Sequence, residues 1–193
     1  MQDALERKNF LDMPLLAAWK INWEHALLLA LILAAIVTRF WALDYRSYNH
    51  DESIHTDWSW NLYTGKGYQH NPIYHGPFLY LATAFTFGLF GDNDVTARLP
   101  NAVFGIVLVA LPYFFRKWLG TKGALATSAM ILISPAVLYY SRFNRHDIYV
   151  DLFTTLIILV IWKYFDDRRD IWLCASAALL SLSSPGESQP GSP

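Results

Sequence analysis

Two short stretches hold most of the residues that could do chemistry. The first, 44–97, carries four of the six histidines (His50, His55, His70, His75) and the acids Asp44, Asp51, Glu52, Asp57, Asp92 and Asp94. The second is the dense run Ser141-Arg142-Phe143-Asn144-Arg145-His146-Asp147. Asp51-Glu52 is an adjacent acid pair. On a helix, successive side chains point about 100° apart, so one acid can face a substrate while the other orients a partner. A carboxylate beside aromatic rings in a poorly hydrated setting becomes a stronger base, which suits general-base catalysis. The plainer alternative is a solvated loop acid. His50/His55 and His70/His75 repeat one spacing, but i and i+5 do not share a helix face as i and i+4 do. The histidines alone therefore do not make a metal site, and a hard divalent cation on Asp51 or Glu52 is the remaining metal option. Arginine forks match phosphate oxygens, which puts Arg98, Arg142 and Arg145, with Lys66, forward as a phosphate clamp. Snorkelling to lipid headgroups is the competing role for arginines at span ends. Tyr45, Tyr48, Trp58, Trp60, Tyr63, Tyr68, Tyr74 and Tyr80 could stack on a sugar face, or simply form an interfacial aromatic belt.

The elements that must position these residues are apolar blocks. Of the 193 residues, 54% are hydrophobic and 16% charged, against about 25% charged in an ordinary soluble domain. The net charge of −1 and the absence of a basic patch exclude a nucleic-acid partner. The single cysteine, Cys174, excludes a disulfide framework. The composition predicts an all-α, polytopic transmembrane protein. A cytoplasmic amino-terminal segment is expected over 1–24. A membrane module follows over 25–183, with spans at about 25–43, 98–115, 123–141, 148–165 and 171–183. Asn101 interrupts the second block, and Pro112 and Pro135 are expected to kink their spans. Residues 44–97 form a long outer loop carrying juxtamembrane helices. Within it, the apolar run 78–90 spans about 20 Å as a helix, short of a hydrocarbon core of about 30 Å, and is expected as a half-helix. A Ser/Pro/Gly tail, 184–193, is expected to be disordered, and it starts where a fifth span should continue. That predicts a truncated or frameshifted form of a longer protein, without turnover of its own.

Charge placement sets the orientation. With the amino terminus in the cytoplasm of a multi-pass cell-membrane protein, the inner segments 1–24, 116–122 and 163–170 hold nine Lys/Arg, and the outer segments 44–98 and 142–147 hold five. Both polar stretches then lie at the same membrane boundary, and can converge in space. If 78–90 spanned instead, they would lie on opposite sides and no joint site would exist.

Four segments in this order resemble the GT-C superfamily of membrane glycosyltransferases. They are His50-Asp51-Glu52-Ser53-Ile54-His55, His75-Gly76-Pro77-Phe78-Leu79, Ala97-Arg98-Leu99-Pro100-Asn101-Ala102-Val103-Phe104-Gly105 and Ser141-Arg142-Phe143-Asn144-Arg145-His146-Asp147. Within the superfamily the chain is similar to the protein O-mannosyltransferase and aminoarabinose-transferase (ArnT-like) group, glycosyltransferase family 39-like. Among these it looks closest to flippase-associated members of bacteria and archaea, as an amino-terminal fragment covering about 40–165. The resemblance implies transfer of a sugar from a polyprenyl-phosphate donor to a glycan, lipid or protein acceptor at the outer membrane face. By the same resemblance Asp51 matches the catalytic base, Glu52 its partner, Arg98 the arginine opening the second span and Asp147 a second acidic position. His-Gly-Pro stands at 75–77 where the family pattern usually has His-Pro-Pro.

The resulting expectation is a catalytic set of Asp51, Glu52 and Asp147, with Arg98, Arg142, Arg145, His55, His75 and Lys66 contacting substrate. Two readings from other classes compete. One is a non-catalytic component assisting lipid-linked sugar flipping or assembly. The other is a transporter, which would place charges near the bilayer centre. The charges nearest span interiors, Arg39 and Asp151, lie toward the outer ends and favour surface chemistry.

Overall fold

The computed structural model describes residues 22–67 and 77–183, and among them every regular element is helical. The elements are α1 (Trp23–Phe40), α2 (His50–Tyr63), α3 (Phe78–Phe90), α4 (Asp94–Ala110), a 3₁₀ turn (Leu111–Phe115), α5 (Arg116–Ile133), α6 (Pro135–Tyr140), α7 (Asp147–Asp167) and α8 (Asp170–Ser183). Three helical stretches are long and apolar enough to cross a membrane: Trp23–Phe40, Asp94–Ile133 and Asp147–Asp167. The fold is thus an all-helical membrane architecture.

Local chemistry explains where the helices start and break. The Asn49 side chain accepts from the His50 amide at 2.6 Å and opens α2. Asn93 accepts from the amides of Val95 and Thr96 while the Thr96 hydroxyl accepts from the Asn93 amide, a reciprocal cap that opens α4. Asp94–Ile133 is not one straight rod. Pro112 sits in the 3₁₀ turn, and Gly120 adopts φ 70°, ψ 159°, a backbone conformation that side chains disfavour. Pro135 then starts α6 after Ser134 leaves the helical region.

Long-range contacts give the direction of each helix. Asn101 reaches Phe143 and Arg145, and Gly105 meets Ser141, so α5 and α6 return antiparallel to α4. Phe104 packs on Tyr149, and Phe115 on Trp162, so α7 runs parallel to α4. The Tyr113 hydroxyl lies 3.4 Å from His25 Nε2, while Arg39 approaches Gly105, so α1 runs antiparallel to α4. One end of the bundle therefore gathers the end of α1 with the starts of α4 and α7. The other end gathers Phe115, Trp118 and Trp162, with Lys117 paired to Asp166 at 2.6 Å. The core between them is built from Leu79, Tyr80, Leu108, Leu111, Phe115, Ile148, Tyr149, Leu152, Phe153 and Leu159.

Helices α2 and α3 pack on each other at the first end. Phe78 sits edge-on to Phe104, Tyr149 and Phe153, and Thr86 donates to the Thr96 carbonyl at 2.9 Å. With 13 residues, α3 accompanies α4 for only part of its length. Helix α8, of 14 residues, folds back on α7 through Arg168 at φ 53°. Residues 1–21 of the expected amino-terminal segment 1–24, and the whole of the expected tail 184–193, lie outside the described residues.

Candidate active site at the α2–α4–α7 end

Each polar stretch reaches the site because a buried partner holds it there. Glu52 is fully buried in α2, and Arg98, 1% exposed, faces it from α4. Arg98 Nε donates to Glu52 Oε1 at 2.5 Å, and Nη2 to Oε2 at 3.0 Å. The rest of the guanidinium donates to the carbonyls of Leu43 (2.7 Å) and Arg46 (2.9 Å) and stacks over Tyr48. Glu52 Oε1 also accepts from the Asn144 amide at 3.2 Å. One ion pair thus ties together the end of α1, the start of α2, α4 and the loop 141–146. Buried charges persist only when paired and hydrogen-bonded in this way.

Arg142 is spent on the chain itself. Its Nη1 donates to the Thr38 carbonyl at 3.2 Å, and its Nη2 to those of Trp41 (2.6 Å) and Ala42 (3.0 Å). These carbonyls lie at the end of α1, where Ala42 also accepts from the Tyr45 amide at 3.3 Å, and a cation there answers both their remaining lone pairs and the helix dipole. His55 is also buried, with Nδ1 3.1 Å from the Tyr80 hydroxyl, joining α2 to α3. Lys66 lies over the Trp60 ring, 4.4 Å from its centroid.

Three expected residues meet where water can reach them. Arg145 Nη1 lies 3.4 Å from Asp51 Oδ2, and its Nε 3.1 Å from Asp147 Oδ2. The side chains of Arg145, Asp51 and Asp147 are 34%, 50% and 29% exposed, so a ligand can reach the cluster, although the Asp147 Oδ2 that faces Arg145 is itself buried. His146 Nδ1 lies 3.9 Å from the same Asp147 oxygen. The arrangement offers two carboxylates that can accept a proton and, between them, a guanidinium that can hold an anion. No group of three or more His, Cys, Asp or Glu is placed to share a metal ion among the described residues. Glu52 has both oxygens on Arg98, which leaves Asp51 as the accessible member of the acid pair for the cation option. His75 and His70 lie outside the described residues.

A separate cleft of about 350 Å³ opens on the other face of α2, lined by Ser53, Thr56, Asp57 and Trp60 with Tyr48, Phe87 and residues 92–94. At 100° per residue this face points away from Asp51. Burial, then the nearby Asp94 carboxylate, push the Tyr48 hydroxyl well above its ordinary range, so it stays protonated.

Sequence reasoning missed Asn101 and Asn144 as site-builders. Asn101 is fully buried and donates from Nδ2 to the carbonyls of Phe143 and Arg145, both at 2.7 Å. Asn144 donates from Nδ2 to Thr56 Oγ1 at 3.0 Å. The signal was available: an amide inside an apolar block must find buried partners.

A family model described as dolichyl-phosphate-mannose-protein mannosyltransferase matches residues 74–183, more than half of the chain. A protein of Aquifex aeolicus (strain VF5), described as uncharacterized, is 24% identical over 170 residues, covering 82% of this chain and 34% of that protein. The chain thus spans about a third of the length of the curated relative it matches. No solved structure matches it. With the family match covering over half its length, the chain belongs to the dolichyl-phosphate-mannose-protein mannosyltransferase family of membrane glycosyltransferases.

Proposed function

We propose that this module transfers a sugar from a polyprenyl-phosphate donor to an acceptor hydroxyl at the outer face of the cell membrane, with inversion at the anomeric carbon. Asp51 takes the proton of the acceptor hydroxyl. The freed oxygen bonds to the anomeric carbon as the bond from that carbon to the phosphate oxygen breaks. The bonding pair leaves with the polyprenyl phosphate, whose charge Arg145 holds. Stabilising the departing charge with a preformed cation supplies much of such an acceleration. Asp147 orients Arg145. Glu52 and Arg98 build the site from beneath, and Arg142 closes α1. The acceptor class is glycan, lipid or protein, and the orientation is a multi-pass one with a cytoplasmic amino terminus.

One observation carries this reading. Asp51 and the pair Arg145–Asp147 come from stretches about ninety residues apart in sequence, yet they meet in a partly exposed cluster. The family match supports mannosyltransferase-like glycosyl transfer as the reaction class. The test is transfer from labelled polyprenyl-phosphate mannose, with Arg145→Gln and Arg145→Lys in membranes expressing the complete reading frame that contains this chain. Arg145→Gln should lose transfer, and Arg145→Lys should retain part of it, since a point charge replaces a fork. Full transfer by Arg145→Gln would remove the clamp from the mechanism.

A further inference from the structure

The loop that carries Arg145 lies between α6 and α7 and has no regular backbone pairing of its own. Phe143 is 3% exposed and Asn144 fully buried, so the carbonyls there need internal donors. Asn101 provides them from α4. A primary amide has two N–H groups and one acceptor oxygen. Both of its N–H groups are used, one to the Phe143 carbonyl and one to the Arg145 carbonyl, each at 2.7 Å. Its Oδ1 accepts from the Tyr149 hydroxyl at 2.9 Å, and that hydroxyl is held by the first turn of α7. The amide can sit only one way round, because reversing it would set an oxygen against two carbonyls. The Arg145 amide also donates to the Phe143 carbonyl at 2.8 Å. The peptide run that bears Arg145 is thus fixed at both ends by one side chain.

We propose that Asn101 is the positioning residue for Arg145, setting the guanidinium between Asp51 and Asp147 at the distance from which it holds an anion. Asn101 touches no substrate. It acts through the two carbonyls that frame Arg145. Of the loop's other ties, Arg142 anchors its first residues to the end of α1, Asn144 holds its middle through the Glu52 carboxylate, the Thr56 hydroxyl and the Thr83 hydroxyl at 3.5 Å, and the His146 carbonyl accepts from the amides of Tyr149 and Val150 in α7, so Asn101 is the side chain that ties the Arg145 carbonyl itself. A residue at 101 without two N–H donors leaves the Phe143 and Arg145 carbonyls without these bonds and loosens the run between them.

The proposal rests on Arg145 as the phosphate-holding group only where binding is measured, so the experiment has two arms. In the first, the chain is reconstituted in nanodiscs and titrated with polyprenyl phosphate. Asn101→Ala should weaken binding about tenfold, as expected when two buried hydrogen bonds are lost and part of that loss reaches the ligand. Asn101→Asp keeps the shape and removes both donors, so it should behave like the alanine variant. In an Arg145→Gln background, Asn101→Ala should change affinity by less than about twofold, because a residue acting through Arg145 has nothing left to act on. Multiplying effects, or an Asn101→Asp variant that binds like the parent, would overturn the proposal. In the second arm, solid-state NMR follows the through-space contact between the Arg145 guanidinium nitrogens and the Asp51 and Asp147 carboxyl carbons. The contact should be present in the parent and lost in Asn101→Ala. Its survival would overturn the proposal whether or not polyprenyl phosphate binds. If Asn101→Ala does not fold, Tyr149→Phe takes its place, removing only the hydroxyl that fixes the amide, and should weaken the same contact. If the parent fails to bind polyprenyl phosphate, the functional reading fails, and the NMR arm still decides the role of Asn101.

Discussion

The buried pair Glu52–Arg98 should behave as a structural joint, and its removal should be costly. Both side chains are within 1% of complete burial, and their contacts join four segments of the chain. In Glu52→Gln the amide oxygen can still accept from Arg98 Nε, but the amide nitrogen then faces Arg98 Nη2 and the guanidinium loses its counter-charge. Leaving one ion of a buried pair uncompensated costs about 3–5 kcal/mol. For a chain of this size 1 kcal/mol moves the melting temperature by about 2–4 °C, so the expected fall is about 6–20 °C. Arg98→Met, which keeps the apolar stem and removes the charge, should fall in the same range by stranding the Glu52 carboxylate. The double variant Glu52→Gln/Arg98→Met should melt well above the sum of the two losses, because neither charge is then stranded. Eight tryptophans give an intrinsic fluorescence signal for the unfolding scan in detergent. A single-variant fall of less than about 2 °C, within the range expected for an exposed pair, would refute the joint. Strictly additive losses would refute it too.

Other consequences follow from the same contacts. Arg142→Ala should release the carbonyls of Thr38, Trp41 and Ala42, and hydrogen exchange should rise over 38–46 while α7 keeps its protection. Gly105→Ala should destabilise by about 1–3 kcal/mol or more, because a Cβ there would stand 2.3 Å from Ser141 Cβ and 3.1 Å from Arg39 Nε. Adding Ser141→Gly, which removes the nearest of those atoms, should recover most of that loss in a melting experiment. Lys117→Ala should leave the melting temperature within about 2 °C of the parent, since the Lys117 side chain is largely exposed and exposed pairs contribute about 0–1 kcal/mol.

Much of this architecture could be read from residue order. The apolar blocks at 26–37, 99–115 and 148–165 lie within the three stretches long enough to span, because a bilayer demands a length of apolar helix that composition reveals directly. Proline at 112 and 135 marks two helix breaks, since proline lacks the donor a helix interior needs. Gly120 carries no comparable signal in the sequence, because only its positive φ gives it meaning. The meeting of Asp51 with Arg145 and Asp147 followed from charge placement, which put both polar stretches at one boundary. Which arginine keeps its guanidinium off the chain's own carbonyls and off a buried carboxylate did not follow. Arg98, Arg142 and Arg145 look alike in sequence, and each guanidinium matches carboxylate, carbonyl or phosphate equally well. Only the positions of the Glu52 carboxylate and the carbonyls at the end of α1 separate them. The same holds for Asp51 and Glu52, adjacent residues whose helical offset sends one into the core and the other to the surface. Asn101 read as a defect in an apolar block, and became legible only once the carbonyls of the 141–146 loop were in place.

The central claim is that Asp51 is the base at the outer membrane face. The most direct measurement compares Asp51→Asn with the parent for transfer of label from polyprenyl-phosphate mannose, at matched protein level, in membranes expressing the complete reading frame that contains this chain. Asparagine keeps the size of the side chain and cannot accept the proton, and a positioned general base contributes about 10²–10⁴-fold. The expected result is a loss of at least about a hundredfold with an unchanged melting temperature, because Asp51 is half exposed and its contact with Arg145 is long. Transfer by Asp51→Asn at the parent rate would contradict it.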